Sequence, residues 1–217
     1  GHEQAKLVGA RLATLPIKMT HLVSSEFLRA AQTADDIAPF IKLTATRDGS
    51  LNECTPSSSN AAAIANETPR SLSECDSARA AMWQRYFTPT PDRDTYDVLV
   101  CHGNVIRWTL MKTVGADTKN WLNLDSANGS LTIVAVRPDG STRLVIYNDV
   151  GHIPWEKQTW SGKGGGWAGR GVGWRGGGGG VEAWFEPALF STSSLLSPSL
   201  RSCLWIWVSS SGKNAIS

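Results

Sequence analysis

The sequence predicts an α/β fold, a three-layer αβα sandwich around a mostly parallel sheet, and two stretches carry that prediction. Val98-Leu-Val-Cys-His-Gly-Asn-Val-Ile-Arg107 runs from an apolar strand directly into a helix. His21-Leu-Val-Ser-Ser25 is a short strand that runs into an amphipathic helix over residues 26–38. Parallel strands need a crossover between them, so strand–turn–helix units repeated along a chain are what a sheet with helices on its faces requires.

In chain order, residues 4–15 (QAKLVGARLATL) read as a helix with Val8, Leu12 and Leu15 inward, stopped by Pro16. The helix over 26–38 places Phe27, Ala30, Ala31, Ala34 and Ile37 on or near one face, and a short strand is expected over 41–46. Residues 57–67 are Ser/Ala-rich and read as a surface loop. Residues 69–87 form a helix whose Leu72, Cys75, Met82 and Tyr86 belong to the core. A buried strand over 96–100 precedes a helix over 104–114, with His102 and Gly103 in the turn and Asn104 near the N-cap. Residues 130–136 and 142–148, joined by Arg137-Pro-Asp-Gly140, form a hairpin.

The strand ends also suggest chemistry. Backbone N–H groups at a helix start lack partners and the helix dipole is positive there, so a phosphate oxygen fits above Gly103, with His102 at the rim to donate to it or shuttle a proton. The alternative is a loop histidine capping a helix. Arg29, in the first turn of its helix, is unfavourable for the dipole, which weighs an anion-binding role against a solvated surface charge.

Composition narrows the class. With 217 residues, 41% of them hydrophobic, the chain holds one domain or slightly more with enough apolar content for a core. A net charge of +2 without a basic arm or aromatic stacking motif argues against nucleic acid as a partner. Cys54, Cys75, Cys101 and Cys203 show no C-x-x-C spacing and no histidines at metal-ligand intervals, so reduced thiols are expected and zinc is not.

Three spaced motifs, Ser24-Ser-x-x-x-Arg29-Ala-x-x-Thr33-Ala34, Leu51-Asn-Glu53 and Cys101-His102-Gly103, resemble the histidine phosphatases, also called the phosphoglycerate mutase-like superfamily. Cys-His-Gly-Asn-Val-Ile-Arg107 and Asn128-Gly-Ser130-Leu-Thr132 followed by Arg137-Pro-Asp-Gly140 are similar to the mitochondrial serine/threonine phosphatase branch. The resemblance covers about residues 1–160. It implies two-step phosphoryl transfer, in which a neutral histidine attacks phosphorus and water hydrolyses the phosphohistidine. It gives Arg29 and His102 the role of holding the phosphoryl oxygens, with Gly103 and Asn104 as further donors, and makes Glu53 the general acid. No metal or cofactor is implied, since arginine and histidine charge does that work. The implied partner is a phosphoprotein, the implied address mitochondrial, with any targeting or membrane segment upstream of Gly1; otherwise the chain is cytoplasmic.

The family's nucleophile belongs to an R-H-G motif ending the first strand, and no R-H-G occurs here. Gly1-His-Glu-Gln-Ala5 resembles the G-x-x-Q-A that opens the following helix, so the strand is expected to lie upstream, leaving an exposed sheet edge and an inactive chain. His2 falls at the wrong place to substitute. Other readings remain. Cys101-x5-Arg107 has the spacing of cysteine-dependent tyrosine phosphatases, although adjacent strand residues point Cys101 away from His102. Small-molecule phosphomonoesterase or mutase activity, and a non-catalytic phosphate-binding fragment, are the others.

Residues 162–180 (GKGGGWAGRGVGWRGGGGG) are low-complexity, and residues 181–217 are Ser-rich and Trp-dotted. Cys203-Leu-Trp-Ile-Trp-Val208 is too short to span a bilayer. Arg170 and Arg175 are too few for an RNA-binding segment. Residues 161–217 are therefore expected to be a disordered tail, or sequence from a faulty gene model, whose loss leaves stability unchanged.

Overall fold

The computed structural model describes residues 1–89, 93–160 and, as backbone, Cys203–Ser209. Among the described residues the α-helices are α1 (His2–Ala13), α2 (Leu28–Ile41), α3 (Pro69–Tyr86) and α4 (Gly103–Thr113). Its strands are β1 (His21–Ser24), β2 (Ala45–Arg47), β3 (Thr95–Cys101), β4 (Leu131–Val136), β5 (Thr142–Asp149) and β6 (Cys203–Ser209). They form one sheet in the order β2-β1-β3-β6-β4-β5. β2, β1, β3 and β6 are parallel, and β4 is antiparallel to both neighbours, so β4 alone is reversed. The sheet is mostly parallel, as the strand–helix alternation requires.

Alternation along β3 builds the three layers. Val98 and Val100 point to one face and pack with Val8 and Leu12 of α1 and Ala30, Ala34 and Ile37 of α2. Leu99 and Cys101 point to the other and pack with Met82 and Tyr86 of α3 and Val105, Ile106 and Leu110 of α4. Local chemistry sets the element ends. A capping box between Thr68 and Ser71, with Pro69 at the first helical position, starts α3. The β4–β5 turn closes through Gly140, whose φ of +80° suits glycine, and its N–H donates to Arg137 O at 2.9 Å.

Several expectations need correction. The helix expected over 26–38 begins at Leu28, so Phe27, expected on or near the apolar face, is its N-cap in extended backbone and is exposed. The short strand expected over 41–46 is Ala45–Arg47, because α2 continues to Ile41 and ends in a left-handed Lys42. The expected exposed edge is filled: β3 pairs β1 on one side and β6 on the other. β6 belongs to the segment expected to be disordered, yet it pairs in register from Thr95↔Cys203 to Cys101↔Ser209, and with β4 from Leu131↔Val208 to Val136↔Cys203. Its β-branched and aromatic run suits a strand paired along both edges. The rest of that tail, 161–202 and 210–217, lies outside the described residues. Cys54 and Cys75 are not reduced thiols but a disulfide, with their Cα atoms 5.8 Å apart, a pairing that 21 residues of separation hide from sequence spacing.

Candidate active site

Parallel strands bring their carboxyl ends to one edge of the sheet, where ligands bind in such folds. β1 ends at Ser24, β3 at Cys101, and β2 leads through Asp48 to Glu53. Ser25 N–H donates to Val100 O at 2.9 Å, and this stitch sets Ser25 against the residue after Cys101. That residue is His102, which caps α4 in extended backbone and is 2% exposed. α4 therefore starts at Gly103, and Asn104 is its second residue.

A directed chain of hydrogen bonds crosses this edge. Arg29 Nε donates to His102 Nδ1 at 3.1 Å, which makes Nδ1 the acceptor and places the ring proton on Nε2. His102 Nε2 then donates to Ser25 Oγ at 2.8 Å, and Ser25 Oγ donates to Asn52 Oδ1 at 2.8 Å. Asn52 Nδ2 donates to Glu26 Oε2 at 3.0 Å. Burial, helped by the Arg29 and Arg79 charges, pushes the His102 pKa down to about 3, so the imidazole is neutral at ordinary pH. The Phe27 ring tilts against it at 5.4 Å between centroids, with the Arg29 guanidinium 5.3 Å from the Phe27 centroid.

Glu53 follows Asn52 on the same loop. Its Oε1 is buried with no hydrogen-bond partner among the described residues. Burial dominates and pushes its pKa up to about 7 against the opposing charges of Arg29, Arg79 and Arg107 and a hydrogen bond from the Asn104 backbone. This is not a solvated loop carboxylate. Asn104 Nδ2 donates to Cys54 O at 3.1 Å, so the donors at the start of α4 grip the Glu53 loop. Arg107 is held by Asp125 Oδ1 at 3.2 Å.

Three residues of this hydrogen-bonded edge escape a sequence reading. Ser25 and Asn52 carry the relay. Arg79, 1% exposed on α3, donates from Nη2 to Ser50 O at 2.8 Å and Asn52 O at 3.0 Å. Its signal was an arginine inside the buried stripe Cys75, Met82 and Tyr86 of α3. The cysteine-nucleophile alternative loses its basis, because Cys101 is fully buried in the α3–α4 core and burial pushes its thiol far above the usual range. Among the described residues no cluster of three His, Cys, Asp or Glu side chains is placed to hold a metal, and no helix is long and apolar enough to cross a membrane.

Residues 1–150 match the family model of the histidine phosphatase superfamily (branch 1). The chain belongs to that superfamily. The serine/threonine-protein phosphatase PGAM5, mitochondrial, of Xenopus laevis is 31% identical over 162 residues, covering 72% of this chain and 58% of that protein. Its Homo sapiens counterpart is 33% identical over 170 residues, covering 73% and 57%. The chain thus spans under two thirds of the length of these curated relatives. A phosphoglycerate mutase structure from Plasmodium falciparum shares the fold, with a TM-score of 0.53 at 24% identity over 74% of this chain and 90% of that one. For a histidine phosphatase site, the family resemblance implies a charged second histidine. Here His102 is neutral and the positive charge rests on arginine.

Proposed function

We propose that Arg29, His102 and Glu53 form the oxygen-holding and proton-donating part of a phosphoprotein serine/threonine phosphatase site that works through phosphohistidine. The observation that carries this reading is their convergence at the carboxyl ends of three parallel strands, with a neutral ring on Arg29 and a carboxyl that keeps its proton near neutral pH. Arg29 takes the phosphoryl oxygens by charge, and His102 takes one by its Nε2–H once that proton exchanges Ser25 Oγ for the phosphoryl oxygen, with Gly103 and Asn104 at the helix start close by. Glu53 gives its proton to the leaving serine or threonine oxygen as the nucleophilic histidine bonds to phosphorus. It then takes a proton from the water that releases phosphate. No Arg-His-Gly triplet occurs in these 217 residues, so on this reading the chain by itself binds phosphate without turning it over. A phosphoprotein substrate and a mitochondrial setting are supported by the names of the relatives.

The test is hydrolysis of a phosphoserine peptide. The purified chain should show none, and the chain extended by an N-terminal strand ending in R-H-G should hydrolyse it and accumulate an acid-labile phosphoenzyme. Robust hydrolysis by residues 1–217 themselves, free of contaminating phosphatase, would show that the nucleophile lies within them and defeat this assignment.

A further inference from the structure

The Glu53 loop is tied down on every side. Arg79 of α3 binds the carbonyls of Ser50 and Asn52. Asn104 of α4 binds the carbonyl of Cys54. The next covalent link is the Cys54–Cys75 disulfide, which joins the residue after Glu53 to the first buried turn of α3. Just beyond, Ser57 donates from N at 3.0 Å and from Oγ at 2.6 Å to Asp76, the neighbour of Cys75. Cys75 is 3% exposed, so the bond seats Cys54 against the core and takes Glu53 with it.

We infer that the Cys54–Cys75 disulfide positions Glu53, and that its reduction by a dithiol releases the loop and switches the acid off. The step balances as thiol–disulfide exchange: the S–S bond breaks, Cys54 and Cys75 each gain a proton and an electron, and the dithiol becomes a cyclic disulfide. Cys54 and Cys75 are positioning residues, acting through Glu53. The charged and titratable groups facing that carboxyl are Arg29 from α2, Arg79 from α3, Arg107 from α4 and Cys101 from β3. With the loop released, water reaches the carboxylate and the desolvation that dominates its raised pKa is lost, which favours ionisation.

The inference rests on Glu53 being the acid of the proposed site, yet its test needs neither phosphate nor turnover. Carbon-13 NMR of glutamate side-chain carboxyls, assigned by Glu53→Gln, follows the titration of Glu53 in the full chain with and without dithiothreitol. Cys54→Ser/Cys75→Ser is run beside it without reductant. In the oxidised chain Glu53 should titrate near neutrality, and in both reduced and variant forms its midpoint should fall by more than one pH unit. An unmoved midpoint would overturn the inference, because Arg79 and Asn104 would then suffice to seat the loop. Global unfolding on reduction, seen as collapse of His21 and His152 shift dispersion, would overturn it too, because the bond would then hold the whole fold instead of the loop. Failure of the oxidised chain to bind inorganic phosphate would defeat the proposed site and leave the clamp standing.

Discussion

Replacing Glu53 by glutamine should change how stability depends on pH, and the desolvated Glu53 carboxyl and the buried His102 ring set the size of the change. Glu53 has its pKa raised from 4.5 to about 7, so it binds a proton more tightly folded than unfolded. Its contribution is fully present below 4.5 and is lost as pH rises through about 7. The whole interval corresponds to about 3 kcal/mol at about 1.4 kcal/mol per pH unit. His102 has its pKa lowered from 6.5 to about 3, so its contribution has the opposite slope and is lost as pH falls from 6.5 towards 3. Between pH 4.5 and 6.5 the two slopes cancel in the wild type. Glu53→Gln removes one, so the variant should gain on the wild type by about 3 kcal/mol between pH 4.5 and 7.5. Urea unfolding at four pH values in that span reads this directly. With a slope of about 2 kcal/mol per molar, the gap between midpoints should open by about 1.5 M. A gap that stays constant with pH would refute the claim that Glu53 is a desolvated carboxyl.

Other outcomes follow from the same structure. Deleting Cys203–Ser209 removes the strand pairing β3 to β4, so the shortened chain should aggregate or show a clearly lower thermal midpoint; an unchanged midpoint would place that strand outside the folded body. Reducing Cys54–Cys75, which closes a loop of 21 residues, should lower unfolding free energy by about 3 kcal/mol in urea titrations with and without reductant. In the chain extended by the R-H-G strand, Arg29→Ala and His102→Ala should each lower turnover at least tenfold and Cys101→Ser should change it little; the reverse pattern in peptide-hydrolysis assays would favour the thiol chemistry.

The strand-to-helix junctions were the most legible part of the molecule. An apolar run followed by His102-Gly103 and an amphipathic stretch specifies β3 and α4 locally, and the helix expected over 104–114 is found at Gly103–Thr113. The motifs that hold Arg29, Glu53 and His102 were legible, and the fold brings these three residues to one edge of the sheet. What escaped depends on contacts distant in sequence. Phe27 fits the apolar stripe of α2 by spacing, but the helix starts one residue later and leaves its ring against His102. Arg79 binds carbonyls 27 and 29 residues away, and nothing in its own helix announces them. Neither cysteine of the Cys54–Cys75 pair carries a local sign of its partner. For β6, Leu204-Trp-Ile-Trp-Val208 has the composition of a buried strand, yet the glycine-rich stretch before it draws the reading towards a structureless tail. Only the slot between β3 and β4 shows where that strand belongs.

On the proposed reading, Arg29 and His102 hold a phosphoryl group beside a protonated Glu53. Isothermal titration of inorganic phosphate into the purified chain at pH 6.5 tests it most directly, with Arg29→Ala, His102→Ala and the exposed-surface control Arg70→Ala alongside. Saturable one-to-one binding is expected, weakened at least tenfold by either site substitution and untouched by the control. Binding that survives both site substitutions, or no saturable binding in a wild-type chain shown to be folded, would contradict it.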